Sequence, residues 1–370
     1  MVTHQQEKTI WNRAHIDPFF CLIITILLVF SGLIIWSASG QDCNMMGRKI
    51  AQISMGVGVM MLMAQIPPRI YERWSPYVYF CSLVLLIIVD IFGHVSKGAQ
   101  RWIDCGVMRF QPSEVAKIAV PLIVARCVNR DMCPPSIFNT IIILILIFIP
   151  TLLVAVQPDL GTAILIACSG CFVLFLSGMS WTFIVIAILI VSSCIPILWY
   201  FFMHDYQRNR IKILLSPESD PLGAGYHIIQ SKIAIGSGGF PGKGWLLGTQ
   251  SQLEFLPERH TDFIFSVLAE EFGFIGVIFL LLLYVLLVVR GLMIAAQAQT
   301  TFGRVIAGGM TLVFFIYVFV NIGMVSGLLP VVGVPLPMIS YGGSSLVVLM
   351  AGFGIIMSIH THRKMLSKNL

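Results

Sequence analysis

A short polar run at the edge of a long apolar stretch is the first candidate for chemistry. The letters PERHTD end at Asp262 and lead directly into the apolar stretch, which carries two more carboxylates, Glu270 and Glu271. One interpretation of Asp262 is a helix cap, favourable by about 0.5–2 kcal/mol. The other is a functional carboxylate, flanked by Arg259 and His260, at the level of the lipid headgroups. The sequence alone leaves both open.

Two further acidic groups follow a proline at the start of an apolar segment. In RFQPSEVAKIAVP, Glu114 and Lys117 are three residues apart and therefore lie on one face of a helix. They are either an ion pair used for packing or the charged wall of a wet cavity. In VAVQPDLGTAIL, Asp159 is either a residue favoured at a helix N-terminus or part of the same cavity. Ionisable groups in a span cost about 2.5–3.5 kcal/mol each, so a functional role is the default hypothesis.

Basic residues on the same predicted side complete the candidate set. Each is either a solvated loop charge or a partner for a phosphate or pyrophosphate. They are Arg101, Arg109, Arg208, Arg210, Lys212, Lys232, Lys243 and Arg259. A carboxylate and cations at the membrane surface suit a substrate with a lipid tail and an anionic head.

The composition requires that the elements holding these residues lie in lipid. Of 370 residues, 57% are hydrophobic and only 11% charged, against about a quarter charged in soluble proteins. Backbone groups in hydrocarbon must bond internally, so the spans are helices. We predict an all-α polytopic membrane protein with about ten spans, near 19–39, 50–66, 76–93, 113–128, 138–156, 160–178, 181–203, 262–289, 303–329 and 343–360.

The distribution of Lys and Arg predicts the orientation. An even number of spans places both termini on one side, and that side carries most of the basic residues in short loops. The short loops opposite hold only Arg48, Lys49, Lys97, Arg101 and Arg109. The positive-inside rule therefore makes both termini cytoplasmic. One long outer loop, about 204–260 between spans seven and eight, is discounted as a folded segment that crosses despite its charge.

Several motifs resemble those of the SEDS family (shape, elongation, division and sporulation). They are KGAQRWID, FQPSEVAKIA, QPDLGT, GKGWLLGTQSQLEFLPERHTDFIFSVLAEEFG and NIGMVSGLLPVVGVPLPMISYGGSS. The resemblance covers essentially the whole chain, and the length and short termini resemble those of the elongation members. It implies one ten-helix membrane domain over 1–370 that polymerises lipid II into β-1,4 glycan strands at the outer face of the bacterial inner membrane.

The resemblance also implies roles for particular residues. Asp262, in the HTDF motif, would be the general base, and undecaprenyl pyrophosphate would be the leaving group. Glu114 and Lys117 would shape the wet cavity, with Ser344 on its rim. The leaving anion needs cations, so basic side chains or a divalent ion such as Mg²⁺ or Mn²⁺ would meet its charge. No cofactor is indicated.

The resemblance further implies a partner. The chain has no SxxK serine nucleophile motif, so crosslinking would fall to a class B penicillin-binding protein, beside other elongation-complex proteins. No nucleic-acid partner is indicated.

Two other functions use some of the same features. A flippase for lipid II would also need intramembrane charges, but it requires access from both faces. A non-catalytic scaffold for wall enzymes would have no use for Asp262.

Overall fold

The described part of the chain contains ten α-helices of at least 17 residues, at the ten positions that the apolar stretches predict. The computed structural model describes residues 15–92, 94–96, 99–104, 109–130, 134–197, 199–200, 203, 205–220, 223–253, 255–256 and 258–362. In chain order the long helices are α1 (Pro18–Ala38), α2 (Cys43–Gln65), α3 (Pro68–Phe92), α4 (Pro112–Arg130), α5 (Ile137–Val156), α6 (Leu160–Leu176), α7 (Trp181–Ile197), α11 (Ile264–Ala296), α12 (Thr301–Val325) and α13 (Gly343–Thr361).

Six of these helices are long and apolar enough to cross a membrane: α1, α3, α5, α11, α12 and α13. The predicted span at 113–128, which is α4, lies in the middle of the bundle. It contacts α3, α5, α6, α12 and α13, and most of its residues are buried. Because its neighbours are helices rather than lipid, α4 can carry charged side chains that face protein.

The two ends of the described chain meet at one end of the bundle. The rings of His15 and His362 stack with their centroids 4.0 Å apart. Asp17, at the start of α1, pairs with Arg290 near the end of α11 at 2.6 Å. The start of α11, next to Asp262, therefore lies at the opposite end of the bundle.

Smaller elements cluster at the Asp262 end. Between α3 and α4, three short strands, β1 (His94–Ser96), β2 (Ala99–Asp104) and β3 (Arg109–Phe110), pair antiparallel in the order β1-β2-β3. The long loop before α11 holds three helices: α8 (Asp205–Leu215), α9 (Ala224–Gly238) and α10 (Thr249–Gln252). Since α9 packs along α11, this loop is a folded segment.

A break in α11 receives that loop. Gly273 has φ 61° and ψ −158°, which is not helical backbone. The N–H of Phe274 donates to the carbonyl of Gly239 in the loop at 3.0 Å. A Cβ at Gly273 would lie 2.2 Å from the backbone nitrogen of Gly242, so only glycine permits this approach.

Candidate active site

Asp262 lies in a turn at residues 258–263, immediately before α11, and is half-buried. The N-cap residue of α11 is Phe263. Asp262 therefore lies one position before the N-cap residue. Its carboxylate faces the loop after α12: a Cβ added to Gly333 would lie 3.6 Å from Asp262 Oδ2.

The backbone of this turn is held by three donors from distant parts of the chain. The carbonyls of residues 260, 261 and 262 accept, in that order, from the N–H of Tyr341 at 2.8 Å, Ser340 Oγ at 2.6 Å and Asn321 Nδ2 at 2.9 Å. Asn321 belongs to α12, and the other two donors belong to the loop before α13. Three successive fixed carbonyls set the position from which the Asp262 side chain extends.

Glu114 and Lys117 form a buried ion pair on α4, as their spacing predicts. Lys117 Nζ lies 2.6 Å from Glu114 Oε1, and the two residues are 6% and 5% exposed. Lys117 Nζ also lies 4.7 Å from the centre of the Tyr317 ring on α12. Tyr317 precedes Asn321 by four residues, a rise of about 6 Å along a helix. The ion pair is thus about one helical turn deeper in the bundle than the Asp262 turn.

This ion pair lines a cavity between α4, α12 and α13. The cavity is polar near Glu114, Lys117, Ser340 and Ser345. Elsewhere its walls are apolar, formed by Ile118, Met310, Val313, Phe314, Leu346, Val348, Leu349, Phe353 and Ile356. Ser344, predicted on the rim, is buried in the first turn of α13, and its neighbour Ser345 lines the cavity instead.

Asp159 is the N-cap of α6, as one of its two interpretations states. Its carboxylate accepts from the N–H of Thr162 at 3.2 Å and from Gln111 Nε2 at 3.2 Å. Arg101 Nη1 lies 3.7 Å from the same carboxylate, and Arg101 Nε donates to the carbonyl of Gln157 at 3.2 Å. Arg101 thus ties β2 to the turn between α5 and α6.

Lys243 is paired with an acidic residue inside α11. Its Nζ lies 2.7 Å from Glu270 Oε1, and Glu270 is fully buried. The same carboxylate accepts from Thr249 Oγ1 at 3.1 Å and from the N–H groups of Gln250 at 2.9 Å and Ser251 at 3.2 Å. Glu270 therefore caps α10 and fastens the long loop to α11, which explains an acid inside an apolar stretch.

The remaining candidates are spread around this end of the bundle. Arg259 donates to the carbonyl of Ser251, and Arg210 is half-buried on α8. The side chain of Arg109 lies outside the described residues. Among the residues that the structure describes, no group of three or more His, Cys, Asp or Glu side chains could hold a metal ion.

The position predicted from the sequence is wrong for one residue of this region. Lys49, counted among the outer loop charges, lies within α2 and is fully buried. Its Nζ donates to the carbonyls of Ser340 at 2.9 Å and Met338 at 3.4 Å. The low hydropathy of that region gave no signal that the side chain faces the bundle.

A helical bundle with internal ion pairs and a half-buried carboxylate at one end defines a multi-pass membrane protein with a candidate site at that end. Residues 16–365 match the FtsW/RodA/SpoVE family of cell cycle proteins, and the chain belongs to this family, which is the SEDS family.

The chain is 70% identical over 370 residues, all of both chains, to the peptidoglycan glycosyltransferase MrdB of Escherichia coli K12. A solved chain from a peptidoglycan synthase complex that coordinates polymerization and crosslinking matches with a TM-score of 0.82 and 31% identity, covering 93% of this chain and 97% of that one. The rod shape determining protein RodA of Thermus thermophilus matches with a TM-score of 0.71 and 26% identity, covering 93% and 96%.

Proposed function

We propose that this protein is a peptidoglycan glycosyltransferase that polymerises lipid II during cell elongation, with Asp262 as its general base. The observation that carries the assignment of the base is the turn at residues 258–263. Its backbone is fixed by three hydrogen bonds, and the half-buried carboxylate of Asp262 extends from it toward the loop after α12. A rigid support under an accessible carboxylate is what a positioned base requires.

The proposed reaction is a displacement at a sugar carbon. The 4-hydroxyl of the acceptor GlcNAc attacks the anomeric carbon of the MurNAc at the end of the growing glycan, while Asp262 takes the hydroxyl proton. Such general-base help is typically worth about 10²–10⁴-fold in rate. Attack opposite the leaving group converts an α-linked donor into a β-1,4 bond and releases undecaprenyl pyrophosphate.

The leaving pyrophosphate needs positive charge rather than a proton donor. All three of Lys117, Arg101 and Lys243 are paired with an acid, but only Lys117 among them lines the cavity. We therefore assign Lys117 the closest role to the substrate, and Arg101 and Lys243 the role of fixing the walls. A divalent ion carried by the pyrophosphate oxygens is the alternative source of charge.

The proposed orientation places Asp262 on the periplasmic side of the inner membrane and both termini in the cytoplasm. The basic residues of the short loops favour it. The meeting of the described chain ends opposite Asp262 is consistent with it. A lipid II molecule would keep its tail in the bilayer and present its sugars to the carboxylate from outside.

The proposed partner is a class B penicillin-binding protein, which would crosslink the strands. The solved chain from a peptidoglycan synthase complex, whose description couples polymerization to crosslinking, supports this assignment. The sequence adds that no SxxK nucleophile is present in this chain.

The deciding experiment gives fluorescent lipid II to the purified complex with its partner. We expect glycan strands from the wild type and none from Asp262→Asn, which keeps the size of the side chain, at an unchanged melting temperature. Polymer from Asp262→Asn at the wild-type rate would refute the assigned base. Movement of lipid II across liposomes without polymer would favour the flippase instead.

A further inference from the structure

Lys49 is a buried cation to which the proposed mechanism gives no task. Its side chain is fully buried, in the second turn of α2. The ammonium donates to two backbone carbonyls, those of Ser340 at 2.9 Å and Met338 at 3.4 Å. Within the described ranges, no carboxylate lies within ion-pair distance of it. A buried ammonium without an acidic partner is costly, so a specific role must be sought.

The carbonyls that Lys49 contacts belong to irregular backbone inside the bundle. Residues 330–342 between α12 and α13 form no helix or strand, although they are largely buried. Backbone groups away from water must find partners, and here side chains of several helices supply them. Tyr284 of α11 donates to Pro337 at 2.7 Å, and Ser31 of α1 donates to Ile339 at 2.9 Å. Lys49 satisfies the two remaining carbonyls of residues 337–340.

Ser340 connects this segment to the turn of the proposed base. Its carbonyl accepts from Lys49, while its Oγ donates to the carbonyl of Thr261 at 2.6 Å and accepts from the N–H of Leu336 at 2.7 Å. The next residue, Tyr341, donates its N–H to the carbonyl of residue 260 at 2.8 Å. Lys49 therefore holds the carbonyl of Ser340, and Ser340 and the adjacent Tyr341 make two of the three hydrogen bonds that fix the Asp262 turn.

We propose that Lys49 is a positioning residue for Asp262, acting through Ser340. The Lys49 nitrogen donates to both carbonyls and so fixes their relative position. The hydroxyl of Ser340 in turn holds the carbonyl of Thr261, the residue before Asp262. The proposal rests on the glycosyltransferase function above and adds the residue that keeps its general base in position.

A positioning role predicts a particular kinetic pattern. Lys49 touches no substrate, so substrate binding should be retained when it is replaced. A displacement of the base by about 1 Å can cost on the order of 10²-fold in rate. We therefore expect replacement to lower kcat per folded molecule while KM stays within about threefold of the wild type. Because unfolded enzyme also lowers the apparent kcat without changing KM, rates are normalised to the folded, monodisperse fraction.

The test compares three variants of the full chain with its partner, using fluorescent lipid II. Lys49→Met has a similar length but is apolar, and it should lower kcat by about 10–100-fold. Lys49→Arg keeps charged donors, so the decrease in log kcat that Lys49→Met causes should be smaller by at least a third in this variant. Tyr79→Phe is the matched control, because it removes a buried donor to the carbonyl of Leu146 between α3 and α5, away from the site. It should keep the wild-type kcat.

A double variant tests the route through Ser340. Ser340→Ala removes the Oγ bond to Thr261, so adding Lys49→Met to it should cost less than Lys49→Met costs in the wild type. If the double variant loses kcat by the product of the fold losses of the two single variants, Lys49 does not act through Ser340 and the proposal is overturned.

Folding controls keep the proposal falsifiable. If Lys49→Met is not monodisperse, Lys49→Gln, a neutral donor, replaces it, and a wild-type kcat from the folded neutral variant overturns the proposal. Failure of the underlying function has a different signature, since the wild type itself would then make no glycan.

Discussion

Removal of one partner from the Glu114–Lys117 pair should strand the other charge inside the bundle. The two atoms are 2.6 Å apart and the residues 5% and 6% exposed, so little water reaches them. At an effective dielectric constant of about 20, the gross attraction is about 6 kcal/mol. Breaking a buried pair by removing one partner typically costs about 3–5 kcal/mol. With an unfolding entropy of about 2.1 cal/mol/K per residue over 370 residues, we expect Lys117→Met or Glu114→Gln alone to lower the melting temperature by about 4–6 °C.

The double variant separates stability from function. Glu114→Gln with Lys117→Met leaves no stranded charge, and neutral replacement of a whole pair is often tolerated. Its melting temperature should therefore lie above those of both single variants. Lys117→Arg, which keeps the charge, is the matched control and should stay nearest the wild type.

The assay combines thermal unfolding in detergent with lipid II polymerisation. If the pair is a wall of the substrate cavity, the double variant should be folded and inactive; if it serves packing alone, the double variant should polymerise normally. Fully additive losses of melting temperature in the double variant would refute the reasoning, because they would mean that the two charges do not depend on each other.

Three further perturbations have expected outcomes. Glu270→Gln weakens the bond to Lys243 and should speed proteolytic cleavage of the long loop at least severalfold, while α11 stays intact; equal cleavage rates would contradict the fastening role. Gly273→Ala combines a φ of 61° with a Cβ clash and should lower yield and melting temperature more than Gly32→Ala, whose added Cβ meets nothing within 4 Å. Burial raises the pKa of the Asp17 carboxyl, but hydrogen bonds from His360, Arg290 and a backbone N–H outweigh burial and hold its pKa well below the usual range. The stabilisation by Asp17 is present above the unfolded pKa of about 4 and is lost only in stronger acid. Asp17→Asn should therefore lower the melting temperature equally at pH 8 and pH 9, and a difference that closes between them would refute this.

The sequence by itself determined the helices and the local pairs. Long apolar stretches predicted ten helices, because the bilayer fixes both their length and their internal hydrogen bonding. The three-residue spacing predicted that Glu114 and Lys117 share a helical face, and the structure pairs them. Of the two interpretations of Asp159, the one that places it at a helix N-terminus is confirmed, and it was open to the sequence because capping depends on residues only a few positions apart.

Only the tertiary structure decided which polar groups face each other across the bundle. Lys49 and Ser340 are 291 positions apart, and Ser340 and Thr261 are 79 apart. Hydropathy reports that a residue is charged, but not whether it meets water, lipid headgroups or a buried carbonyl. That choice depends on how the helices pack, and packing brought Lys49 into the interior beneath the Asp262 turn. Periodicity along one chain segment carries no information about such a meeting of segments.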